Sequence, residues 1–133
     1  MTKVFLAGPV NDSKWRDLVI EKLRIDYFNP ATDVFDKKIF DHQIAEKERS
    51  DFLLYVLTPT MKSVFSIAEL VDDSCKCPEK VLYCYITTEE GLFFNKHQMK
   101  SLDAIGEMVN KNGGKWCKTL DEAISFLNCF EEK

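Results

Sequence analysis

Glu69 is the residue of this chain best placed to do chemistry. It closes the pattern Ser63, Ser66, Glu69, whose three-residue spacing brings the side chains near one face of a helix. A carboxylate there suits nucleophilic or acid–base work. Ser63, near a helix start, suits an anion, because unpaired N–H groups and the helix dipole both favour phosphate or carboxylate. The same residues also read as a capping serine and a solvated glutamate. Asp41 and His42 stand nearer the start of the preceding helix, whose N-terminal end should face the ligand edge of the sheet, and are acid–base candidates. Asn29 and Asp33 follow the second strand, where they either touch a ligand or make the turn. Trp15 and Arg16 open the first helix, just beyond the break at Gly8-Pro9. Trp15 reads as core or as site wall, and Arg16 as a solvated charge or an anion contact.

These residues need strands that end together. Lys3–Ala7 is a short apolar strand that Gly8-Pro9 cannot continue. Asp51–Leu57 repeats the arrangement and stops at Thr58-Pro59. Helical periodicity predicts Ser13–Leu23, with Trp15, Leu18, Val19 and Leu23 inward. Further elements are a strand Arg24–Phe28, a loop Ala31–Phe35, and a polar helix Asp36–Arg49 with a narrow stripe of Ile39, Phe40 and Ile44. Then come a helix Ser63–Ser74, a strand Lys80–Ile86, an aromatic loop with Phe93 and Phe94, and a helix near Asn95–Lys111. Gly113-Gly114 turns into a strand Lys115–Cys117, and a helix Thr119–Phe130 follows, with Thr119 and Glu122 as a capping box.

Strands alternating with helices predict one α/β domain over residues 1–133: a flavodoxin-like three-layer sandwich around a five-stranded parallel sheet of order 2-1-3-4-5. In that order the switch point lies between the first and third strands, and the loops Gly8–Ser13 and Thr58–Ser63 flank the ligand crevice. Asp51, at the amino end of its strand, falls on the opposite edge and reads as structural.

Composition narrows the function. The chain has 133 residues, 45% hydrophobic and 30% charged, with a net charge of −4, enough for one real core. Its lysines are scattered, which argues against binding a nucleic-acid duplex. No apolar run approaches the roughly 20 residues that cross a bilayer, and the start lacks a signal-peptide pattern, so the expected compartment is the cytoplasm. The five cysteines lack framework spacing and read as reduced thiols. Cys75 and Cys77 lack the other half of a metal site, and His97 has no partner at metal spacing. There is no P-loop, GxGxxG or GxSxG motif, and no cofactor is expected.

Read in order, the motifs resemble one family. VFLAGP on the first strand, Trp15-Arg16 opening the next helix, Ser50-Asp51 before an apolar strand, Thr58-Pro59, and SxxE ending in Glu69-Leu70 are similar to the nucleoside 2-deoxyribosyltransferases and the related 2′-deoxynucleoside 5′-monophosphate N-glycosidases. The resemblance covers roughly residues 3–75. It implies that Glu69 attacks C1′ of a deoxyribosyl group, forming a covalent ester that a base or water resolves, as in a retaining glycosidase. It also implies an acid near the base, for which Asp41 is the first candidate and His42 the second. A small-molecule nucleoside or nucleotide is the implied partner, with a homo-oligomer as the implied assembly.

The chain departs from the family pattern in several places. Phe5 stands where the family often has a Tyr that meets the nucleophile, within a substrate-facing set of Phe5, Gly8, Pro9, Trp15, Arg16, Asn29, Asp33, Ser63 and Ser66. Ser63 replaces a frequent Asp and resembles the monophosphate-using branch. Phe65 and Val71 replace common glycines, where bulk would reshape the pocket. These departures leave a non-catalytic nucleotide-binding protein on the same fold as the contrasting reading. A receiver-like module lacks its acidic cluster, since Ala7-Gly8-Pro9 ends the first strand.

Overall fold

The structure, a computed structural model, describes residues 1–9, 13–32 and 36–132. These residues form a five-stranded, all-parallel sheet of order β2-β1-β3-β4-β7. The strands are β1 (Lys3–Ala7), β2 (Asp26–Phe28), β3 (Phe52–Leu57), β4 (Val81–Tyr85) and β7 (Lys115–Trp116). Counted within the sheet this is the expected flavodoxin-like order, with the switch point between β1 and β3. The helices are α1 (Trp15–Lys22), α2 (Lys37–Arg49), α3 (Phe65–Lys76), α4 (Lys96–Asn112) and α5 (Leu120–Asn128).

Side chains alternate across each strand, so one sequence run feeds two cores. Val4, Leu6, Leu54 and Val56 pack with Trp15 and Val19 of α1 and with Ala123, Ile124 and Leu127 of α5. Phe5, Ala7, Leu53, Tyr55 and Leu57 face the other way, onto Leu70 of α3 and Leu102 and Val109 of α4. The continuous apolar runs of β1, β3 and β4 are the mark of strands buried on both faces. Asp51 lies at the amino edge, as its position implied: its carboxylate accepts from the Lys3 N–H at 2.9 Å.

Several boundaries differ from the periodicity. α1 begins at Trp15 rather than Ser13, and Leu18, expected inward, is half exposed while Trp15 and Val19 are buried. β2 begins at Asp26, because the Arg24 N–H is taken by the Asn128 side chain at 2.7 Å. α2 starts at Lys37, with the Asp36 carboxylate accepting from the Ile39 N–H. α3 begins at Phe65, two residues later than expected. The aromatic loop holds a small antiparallel hairpin, β5 (Thr88–Glu89) and β6 (Leu92–Phe93), turned by Glu90 and Gly91 at φ of 50° and 80°. Two successive residues with positive φ make the tight turn whose twist suits a hairpin.

The capping box expected at Thr119 and Glu122 forms only in part, and a complete one that the sequence reading did not name opens α4. Asn95 and Gln98 form a reciprocal box at the start of α4. Thr119 accepts from the Glu122 N–H, while the Glu122 carboxylate returns to the Lys118 N–H, one residue before the cap. Among the described residues no helix is long and apolar enough to cross a membrane.

Candidate functional site

A groove of about 640 Å³ runs between α2 and α3 over β1 and β3. That volume lies within the usual range for a small-molecule site. Phe5, Ala7, Leu53 and Tyr55 make its floor, and Gly8 its upper end. One wall is Phe40, Gln43, Ile44, Lys47 and Glu48 of α2; the other is Phe65, Glu69 and Asp73 of α3. Cys77 and Lys80 close the lower end. Phe40 and Phe65 are 60% and 68% exposed, so an apolar rim faces solvent above a charged centre.

The centre is a chain of four polar groups. The Tyr55 hydroxyl donates to Asp73 Oδ2. The same carboxylate oxygen lies 2.8 Å from Lys47 Nζ, which lies 3.6 Å from Glu69 Oε2. Burial, then the hydrogen bond to Asp73, pushes the Tyr55 hydroxyl far above its ordinary pKa, so it stays a donor. Exposure rises along the chain, from a buried Tyr55 to side chains 14% exposed at Asp73, 25% at Lys47 and 40% at Glu69.

The stripe that carries Glu69 into this groove is not the expected one. Phe65, Glu69 and Asp73, at four-residue spacing, form the groove face of α3. Ser66 is buried in the α3 contact with the core, and Ser63 lies outside the helix, its hydroxyl accepting from the Phe65 N–H at 3.4 Å. Val64 rather than Ser63 holds the N-cap position, with no side-chain capping bond.

On α2 the groove face likewise misses Asp41 and His42. Both are exposed, and the helix turns Gln43, Ile44 and Lys47 inward instead. His42 packs edge-on against Phe28 at 5.5 Å, and Phe28 in turn stacks on Phe5 at 5.5 Å. Phe5 is thus brought to the groove floor as an aromatic surface without a polar atom. Asn29 makes the turn after β2, its side chain accepting from the Ala31 N–H at 3.0 Å. Asp33 lies outside the described residues.

Trp15 and Arg16 lie under the end of β1 rather than in the groove. Trp15 is fully buried in the α1 core. Arg16 is 4% exposed and spends its guanidinium on three backbone carbonyls, those of Leu6, Gly8 and Pro9, each at 3.1 Å. Its plane also covers the Trp15 ring, 4.5 Å from the centroid. Burial pulls its pKa down from 12.5 to about 10, which leaves it charged at neutral pH. Arg16 therefore braces the β1 turn, a correction to its expected role as an anion contact.

Gly8 at that turn has φ of 114°, and a Cβ there would meet the Val56 carbonyl oxygen at 2.8 Å. Gly8→Ala adds backbone strain to a clash with sheet backbone. We expect a loss of about 2–4 kcal/mol, read as a lower denaturant midpoint at constant m-value. An unchanged midpoint would refute this account of the turn.

A second cluster ties the loops at the same edge. Glu89 of the hairpin accepts from the Ser13 hydroxyl at 2.8 Å and from the Thr60 hydroxyl at 2.6 Å, and Thr58 and Thr60 hydroxyls lie 3.1 Å apart. One carboxylate thus joins the segments that follow β1, β3 and β4. The sequence reading missed Lys47, Tyr55 and Asp73 in the groove and Glu89 in the loop cluster. Helical spacing from Phe40 and Ile44 to Lys47, and from Glu69 to Asp73, carried the signal for two of them.

Comparison with known proteins agrees with this architecture. A solved crystal structure of a conserved protein from Enterococcus faecalis V583 superposes with a TM-score of 0.59 at 18% identity, covering 97% of this chain and 98% of that one. Likeness at that identity speaks for the fold alone. No curated protein gives a significant match. Residues 1–88 match the family described as nucleoside 2-deoxyribosyltransferase like, a span that includes both groove walls and all four polar groups at its centre. The chain belongs to the nucleoside 2-deoxyribosyltransferase-like family.

Proposed function

We propose that the protein cleaves the N-glycosidic bond of 2′-deoxynucleosides and transfers the deoxyribosyl group, with Glu69 as nucleophile. The observation that carries this reading is the position of Glu69: an accessible carboxylate over an aromatic floor, in a groove beside the β1/β3 switch point. In the first step a Glu69 oxygen bonds to C1′ as the bond from C1′ to the base nitrogen breaks. The bonding pair leaves with the base, which takes up a proton. In the second step an acceptor base or water attacks C1′, loses a proton, and returns Glu69 to its carboxylate. Two displacements at one carbon retain configuration. Asp41 and His42 do not line the groove, so in this scheme solvent in the open groove protonates the departing base.

Hydrolysis, including that of 2′-deoxynucleoside 5′-monophosphates, is the second reading. It is favoured by the 40% exposure of the Glu69 side chain, which gives water the same access as an acceptor base. The test is incubation with deoxynucleosides and their 5′-monophosphates, with and without an acceptor base, and chromatography of the products. Exchanged nucleoside means transfer; free base without exchange means hydrolysis. No turnover across the panel would remove both readings and leave a binding protein whose Glu69 is held by Lys47.

A further inference from the structure

Glu69 projects from the middle of a helix wall, and a glutamate with freely rotating torsions loses rotamer entropy when it is fixed for attack. Phe5 beneath it offers no polar atom. Asp73, one turn further along α3, carries a like charge, and carboxylates at i and i+4 repel. The one cation within 4.0 Å of both, among the described residues, is Lys47 from the opposite wall.

We propose that Lys47 is the positioning residue for Glu69, holding the carboxylate over the groove through an ion pair that Asp73 and Tyr55 anchor from behind. The inference rests on the reading of Glu69 as the nucleophile. A lysine alone is a flexible partner. Here its ammonium is fixed at 2.8 Å by Asp73, which the hydroxyl of a sheet residue fixes in turn. Order therefore passes from β3 through Tyr55, Asp73 and Lys47 to Glu69. When Glu69 bonds to C1′ its charge disappears, and Lys47 keeps Asp73 as its counter-ion, so the contact relaxes without leaving an unpaired ammonium.

The test is steady-state kinetics of base release. Lys47→Met, close in shape and without charge, is expected to lower kcat about 10- to 100-fold with KM changed less than about threefold, because misplaced reacting groups cost rate rather than affinity. Lys47→Arg should restore most of the rate. Asp73→Asn should fall between, and should cost nothing further when added to Lys47→Met. Circular dichroism checks each fold, and Lys47→Gln replaces Lys47→Met if the latter does not fold. Wild-type kcat in the uncharged variant, a loss confined to KM, or no rescue by arginine would overturn the positioning role while Glu69 keeps its own. A wild-type protein that releases no base overturns the Glu69 reading, and this one with it.

Discussion

Glu69→Gln is expected to abolish base release while leaving the fold unchanged. Glutamine keeps the shape and one carbonyl oxygen but is a poor nucleophile, and it cannot balance the positive charge that develops at C1′. Loss of a nucleophile costs at least about 10³-fold in kcat, close to 4 kcal/mol of transition-state stabilisation. Stability should move by no more than about 0.5 kcal/mol, because the side chain is 40% exposed and its contact with Lys47 is a 3.6 Å ion pair. Chromatographic assay and a thermal melt on the same preparation check both halves. Turnover within tenfold of wild type would exclude Glu69 as the nucleophile, and a collapsed melt would assign it a structural role instead.

The second large effect belongs to a residue that does no chemistry. Arg16→Met keeps the apolar stem but removes the donors that satisfy the carbonyls of Leu6, Gly8 and Pro9. Two of these contacts are buried and the one to Gly8 is half-buried; an uncovered buried carbonyl costs about 1–3 kcal/mol and neighbouring losses are not additive, so a total of about 3–5 kcal/mol is expected. For a chain of this length that corresponds to a fall in Tm of about 10–20 °C. If Arg16 contacted an anionic substrate instead, the variant would raise KM and leave Tm nearly unchanged. The two measurements thus separate the brace from the anion contact that its sequence position suggested.

That contrast shows where sequence reading stops. The strands were legible because an apolar run between polar ends has few alternatives, and the break at Gly8-Pro9 placed the switch point correctly. Glu69 was legible as a groove residue, but its helix face was not. Ser63 and Ser66 are polar, so they were grouped with it, whereas Phe65, an apolar residue, lines the groove and Ser66 is buried. Polarity tracked the site on neither wall: α2 brings Ile44 and Lys47 into the groove together and leaves Asp41 and His42 outside it. Arg16 illustrates the same failure, since a charged side chain at a helix start reads as solvated or as an anion contact until the carbonyls around it are known. The hairpin at Thr88–Phe93 escaped because its ladders are only two residues long and Glu-Gly is a weaker turn signature than Asn-Gly.

The two outermost strands have a consequence for solubility. β2 has three residues, including Asp26, and β7 has two. A sheet edge recruits foreign strands through its row of unpaired N–H and C=O groups, and short or charged edges offer too few in register to start a ladder. Another chain therefore finds little to extend on either side. The five-stranded sheet is self-terminating: neither of its edges offers a backbone ladder long enough for another chain to extend.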